Sequence, residues 1–178
     1  MVLADSGIET IEDLRGKRLG FPDPASTSGY LYPMKLLIEA GFDPESDFEL
    51  MALGSHDAAV IALIKGSIDA ALCYDDARSK LLETDFADDV DRTRILAYTP
   101  DIPADNVAVV GGLDPELRRR VRQALIDLAE TEQGAEVLFD LYEVEGLVAA
   151  QDADYDVVRE MAQVMGLDIE QRLREEAE

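Results

Sequence analysis

The sequence predicts an α/β fold in which a mostly parallel sheet is flanked by helices, followed by a run of C-terminal helices. Three observations lead there. Short apolar runs alternate with longer amphipathic segments from Arg18 to Ala97, and glycine and proline punctuate their boundaries. After Gly111-Gly112 the texture changes to helix alone. Alternation of strand and helix favours parallel strands, because each return to the sheet needs a crossover. With 178 residues and 47% apolar content, the chain can bury one ordinary core or two small lobes.

The elements follow in order. Residues 18–21 read as a strand stopped by Pro22 and Pro24. A helix is predicted over 30–40, with Pro33 near its first turn, where a missing N–H costs little, and Gly41 at its end. Residues 48–53 form the next strand. The helix after it, 56–65, draws apolar surface from Ala59, Ile61, Ala62 and Ile64 and is ended by Gly66. A buried strand at 70–73, a short helix at 76–83 and strands at 93–97 and 107–110 complete the alternation. Asp114 is placed to cap a helix over 115–131, with Pro115 at the first helical position. Helices at 135–142 and 155–165 follow, the second closed by Gly166, and 170–178 reads as a charged tail that frays. The chain shows no internal repeat and no low-complexity linker.

Charge narrows the function classes. Lys+Arg number 16 against 39 Asp+Glu, a net charge of −23. Nucleic acid is excluded as a partner, because phosphate backbones call for clustered lysine and arginine. The four lysines, Lys17, Lys35, Lys65 and Lys80, are few beside the acids, a balance expected of a salt-adapted host. The lone cysteine, Cys73, lies in an apolar run and reads as a buried free thiol; it excludes an internal disulfide. No stretch is long and apolar enough to span a membrane. The opening MVLADSGIE has neither a basic start nor an apolar core, so no secretory signal is expected in it.

The stretch DPASTSGYLY, residues 23–32, carries the most chemical information. Ser26, Thr27 and Ser28 stand just before a glycine and a predicted helix. Hydroxyls and unpaired backbone N–H groups then converge where the helix dipole is positive, a natural seat for an oxyanion. In so acidic a chain, an anion must be held by local dipoles of this kind. The other polar candidates also follow predicted strands: His56, the sole histidine, in GSHD; Asp75 and Asp76 after the third strand; Asp105 in TPDIPAD. Ligands of parallel sheets sit beyond the strand C-termini, where the loops at 22–29, 54–56, 74–76 and 99–105 would gather. Taken singly, each has an ordinary explanation: STSG as a cap, His56 as a cap or half-buried ring, the acids as solvated surface.

Four ordered motifs carry a family likeness: DLRGKRLGFPDPASTSGYLYP, GSHDAAVIALIKGSIDAA, YDDAR and TPDIPADNVAV. Together they resemble the PhnD-like phosphate/phosphite/phosphonate-binding proteins of ABC importers, from about Ser6 to about Val110. The resemblance implies a type II periplasmic-binding-protein fold, two α/β lobes closing on a ligand. On it, residues 6–105 are the second lobe with the anion site. Residues 106–178 are then the return crossover strand and the C-terminal helices of an incomplete first lobe. It implies that Ser26, Thr27 and Ser28 hold the phosphorus oxyanion, that His56 is the cleft histidine, and that Asp76 and Asp105 are the two cleft acids. The acids would accept hydrogen bonds from a protonated ligand oxygen or pair with a ligand amine. It further implies a permease and an ATPase as partners, a periplasmic or membrane-anchored extracellular location, and no cofactor, metal or catalysis. Full-length members carry a first lobe ahead of the segment matching Ser6, so self-association through uncovered surface is a further expectation.

Two other classes share some of these residue types. Ser26 or Ser28 with His56 and Asp105 has the residue types of a hydrolytic triad, but no G-x-S-x-G elbow is present, and a phosphate-loop motif is absent too. A ligand-sensing domain of a regulator or receptor is the remaining alternative.

Overall fold

The computed structural model describes residues 1–142 and 144–166. The charged tail expected at 170–178 lies outside the described residues. The chain clusters into two units, one of residues 1–102 with the segment from Val157 onward, the other Pro103–Asp156.

The first unit is built on a five-stranded sheet: β1 (Val2–Leu3), β2 (Arg18–Phe21), β3 (Glu49–Ala52), β4 (Ala70–Ala71) and β5 (Thr93–Arg94), in the order β3-β2-β4-β1-β5. β2 pairs in parallel with β3 and with β4, while β1 runs antiparallel between β4 and β5. Four strands thus share one direction and β1 opposes them, in keeping with the predicted mostly parallel sheet. Successive side chains on β2 point to opposite faces. Leu19 enters the core beneath α1 (Tyr32–Glu39) with Met34, Leu37, Phe42 and Phe48. Gly20 faces the other side, where an added Cβ would lie 2.5 Å from Ile68 Cδ1 and 2.7 Å from Leu53 Cδ1. A glycine is what lets that layer approach.

That second layer is α3 (His56–Ile64), apolar nearly all round because it is buried on two sides. Ala59 and Leu63 pack toward Ile68 and Ala71, while Val60 and Ile64 pack on Ala77, Leu81 and Val90 from two short 3₁₀ helices, Ala77–Leu81 and Ala87–Arg92. Ser55 caps α3, its hydroxyl accepting from the Ala58 N–H at 3.1 Å. A short α2 (Pro44–Asp47) leads into β3. Outside the sheet, α6 (Asp156–Val164) buries Met161 against Leu31 and Tyr32.

Several expectations shift. The helix start moves from Tyr30 to Thr27: a π turn over Thr27–Leu31 runs into α1, and the Ser26 carbonyl accepts from both Tyr30 and Leu31 N–H at 2.9 Å. Pro33, lacking an N–H and crowding the preceding turn, favours such a widened start. The strands after 70 and 93 end two residues in. Residues 101–110 make no ladder, so the strand predicted at 107–110 is absent from the described structure; strands exist through partners, and nothing among the described residues pairs with it.

The second unit holds α4 (Pro115–Ala129) and α5 (Glu132–Tyr142). Asp114 caps α4 as predicted, accepting from Leu117 N–H at 3.0 Å. At the α4–α5 junction Gly134 approaches the Leu128 carbonyl so closely that a Cβ would sit 1.9 Å from its oxygen. α4 buries no residue, and Leu117, Leu128, Val137, Phe139, Leu141 and Tyr142 are exposed.

Candidate anion site

The loop after β2 turns at Pro22 and reaches Ser26, the cap of the π turn. The Ser26 hydroxyl accepts from Gly29 N–H at 3.1 Å, which commits its oxygen as a capping acceptor and leaves its O–H as a donor. The Thr27 and Ser28 hydroxyls and their backbone N–H groups have no partner among the described residues. All three side chains are half-buried. Hydroxyl and amide donors therefore cluster at the positive end of a continuous helical segment from Thr27 to Glu39, the arrangement that favours an oxyanion.

Gly29 brings His56 to this turn. A Cβ there would stand 2.3 Å from Pro22 Cγ and 3.0 Å from His56 Cε1, so only a glycine lets turn, proline and imidazole pack together. The ring is held from the other side by the loop after β4. Tyr74 N–H donates to His56 Nδ1 at 3.2 Å, and the two aromatic rings meet edge-on at 4.7 Å and 65°. Burial pushes the imidazole pKa below its ordinary value, with the Asp57 carboxylate acting weakly the other way. Three loops expected to converge thus meet at Ser26–Ser28, His56 and Tyr74.

Asp76 follows two residues later and is occupied. It caps the 3₁₀ helix at Ala77, accepts from Arg78 N–H at 3.0 Å and from Arg78 Nε at 2.8 Å, and pairs with Arg78 Nη2. Hydrogen bonds from Arg78 hold its carboxyl below the usual carboxylate range. Its charge is therefore largely offset within the chain, and each carboxylate oxygen already accepts two hydrogen bonds from Arg78. Asp105 belongs to the second unit, where it is exposed.

The hydrolytic triad is contradicted by geometry. In a triad the histidine Nδ1–H donates to an acid. Here Nδ1 accepts from a backbone N–H, so no acid can orient the ring through that atom. Cys73 is half-buried, and burial pushes its thiol pKa up, away from a nucleophilic thiolate.

Two features escaped the sequence reading. Arg78 as the partner of Asp76 was open to view in the D-x-R spacing, since a capping acid two residues before arginine can meet it. The Tyr74 amide left no trace, because a backbone donor has no residue type. Ser28, finally, lines a cavity of about 350 Å³ in the first unit whose walls include Pro33, Leu37, Leu72, Leu96 and Tyr98.

The fold is that of an α/β lobe of the periplasmic-binding-protein type. Residues 1–155 match the family of periplasmic substrate-binding proteins of phosphonate ABC transporters, and the chain belongs to that family. It is 29% identical over 178 residues to the phosphate-import protein PhnD of Mycolicibacterium smegmatis, covering 91% of this chain and 55% of that one. A binding-protein component of an ABC phosphonate transporter from Pseudomonas aeruginosa superposes with a TM-score of 0.70 at 24% identity, over 90% of this chain and 54% of the other. PhnD1 from Prochlorococcus marinus, solved with methylphosphonate, gives a TM-score of 0.70 at 19% identity, over 93% and 65%. These superpositions establish the type II fold. The chain spans about half the length of the curated relatives it matches. No helix among the described residues is long and apolar enough to cross a membrane.

Proposed function

We infer that this chain supplies the anion-holding lobe of a solute-binding component that delivers a phosphorus oxyanion (phosphate, phosphite or a phosphonate) to an ABC importer. The observation that carries the reading is the turn at Ser26–Gly29, where the Thr27 and Ser28 hydroxyls and amides stand without partners among the described residues at the start of a helical segment, with His56 packed against Gly29. Such a site binds and releases; it holds no nucleophile with a base, in line with a family of carriers. Thr27 and Ser28 bind the oxyanion, Ser26 shapes the turn and donates its O–H, and Asp105 reads a protonated oxygen or an amine on the ligand. Asp76 takes a smaller part in that reading, because Arg78 already neutralises it. The importer's permease and ATPase are the partners, and the working place is the outer side of the membrane, free in the periplasm or anchored at the surface. Surface left apolar on α4 and α5 gives self-association a physical basis.

A thermal-shift screen tests the reading. Phosphate, phosphite, methylphosphonate and an aminoalkylphosphonate are compared with chloride at equal ionic strength. At least one phosphorus oxyanion should raise Tm through mass action, and Thr27→Ala should abolish the rise. A rise of equal size in Thr27→Ala, or none with any of the four, would overturn it.

A further inference from the structure

We propose that His56 enters the anion site as a fixed neutral donor: the Tyr74 backbone N–H holds Nδ1 as an acceptor, so the ring carries its proton on Nε2 and offers it to a deprotonated ligand oxygen. This rests on the anion reading above and sharpens it. A backbone N–H can only donate. The lone pair it meets at 3.2 Å must therefore be on Nδ1, and protonating that nitrogen would set two hydrogens against each other. Cε1, the atom between the two nitrogens, is the one that faces Gly29. With Nδ1 turned to the β4 loop, Nε2 is left beside the turn and has no partner among the described residues.

The surroundings agree. Pro22 and Gly29 on the turn carry no charge, and the Tyr74 ring meets the imidazole at 65° with 4.7 Å between centroids. The charged group whose field reaches the ring is Asp57 on its own helix, and its pull toward the imidazolium is smaller than the opposing effect of burial. A neutral Nε2–H has a chemical consequence. It satisfies an ionised or doubly bonded oxygen and cannot satisfy a P–OH that is itself donating. His56 thereby selects the ionised face of the ligand, and any ligand proton must be read on another side of the anion. Selection comes from direction alone, without the unselective attraction of a full positive charge.

The chain's single histidine makes the test clean, since every imidazole resonance belongs to His56. Long-range ¹H–¹⁵N spectra at pH 7 should show the Nε2–H tautomer both without ligand and with methylphosphonate. On titration with methylphosphonate, the Nε2 resonance should move together with the Thr27 and Ser28 amides. An Nδ1–H tautomer, or an imidazolium in either state, would overturn the proposal. Shifts at the Thr27 and Ser28 amides with Nε2 unmoved would overturn it too, while leaving the anion reading intact. Silence at all three would sink the anion reading itself. Two variants separate contact from folding. His56→Asn keeps an acceptor for Tyr74 N–H but loses the far donor, and should weaken methylphosphonate binding about tenfold. His56→Gln retains an N–H near the Nε2 position and should stay within a fewfold of wild type. Equal weakening by both would count against the donor role.

Discussion

Gly29 is the residue on which the anion turn depends most sterically. Because a Cβ there would lie 2.3 Å from the Pro22 ring, Gly29→Ala must displace turn, proline or imidazole. Overpacking of this kind costs about 1–3 kcal/mol, readable as a lowered denaturation midpoint, and anion binding should fall with it. His56 gives a pH signature. Its folded pKa lies below the ordinary 6.5, so the folded state binds fewer protons than the unfolded chain in that window. The stabilisation is present above 6.5 and lost as pH falls through the depressed folded value, and denaturation curves of His56→Asn should lack that loss. The Asp76 carboxyl is likewise held below 3.8 by Arg78. Its contribution is present above 3.8 and lost as pH drops through the lower folded value, so Arg78→Gln should unfold in acid at a higher pH than wild type. Protonation of the remaining acids relieves repulsion equally in both proteins and drops out of the comparison.

At the scale of elements, α3 shows best how sequence became structure. Its run of aliphatics and the glycine behind it were legible, its Ser55 cap was not singled out, and it forms over His56–Ile64. Its all-round apolar character follows from burial on two sides. Leu63, fully buried against Ile68 and Ala71, should cost about 2–5 kcal/mol as Leu63→Ala in chemical denaturation; a loss under 1 kcal/mol would contradict the packing. β2, β3 and the Asp114 cap of α4 were legible for similar reasons. β1 and α2 were not, since a two-residue strand and a one-turn helix are too short for any period to show. The helix start at Thr27 was hidden because Thr27, Ser28 and Gly29 carry no apolar pattern. The strand expected at 107–110 looked right in composition, yet strand formation is decided by a neighbour that local sequence does not encode. The site divides the same way: Ser26–Ser28 and His56 announced themselves as residue types after strands, whereas the Tyr74 amide that orients His56 acts across eighteen residues through the backbone.

For the whole molecule, the net charge of −23 and the apolar surface of α4 and α5 act on stability together. Screening of the charge shortens repulsion from about 10 Å at 0.1 M salt to about 3 Å at 1 M, so thermal midpoints should rise over that range with potassium chloride. Sedimentation run alongside would report whether self-association accompanies the rise. On the function proposed above, in which Asp105 reads the ligand's proton because Arg78 already pairs with Asp76, Asp105→Asn should narrow any gap between phosphate and sulfate in competition experiments. The central claim is that local dipoles at Ser26–Gly29 hold a phosphorus oxyanion in a chain whose overall charge opposes anions. Calorimetric titration of methylphosphonate into wild type and into Ser28→Ala, at fixed ionic strength and with matched thermal stability, tests it most directly. Loss of one hydrogen bond to a charged group should cost about 1.5–3 kcal/mol, a weakening of about tenfold or more. Equal affinity in the two proteins would contradict the account.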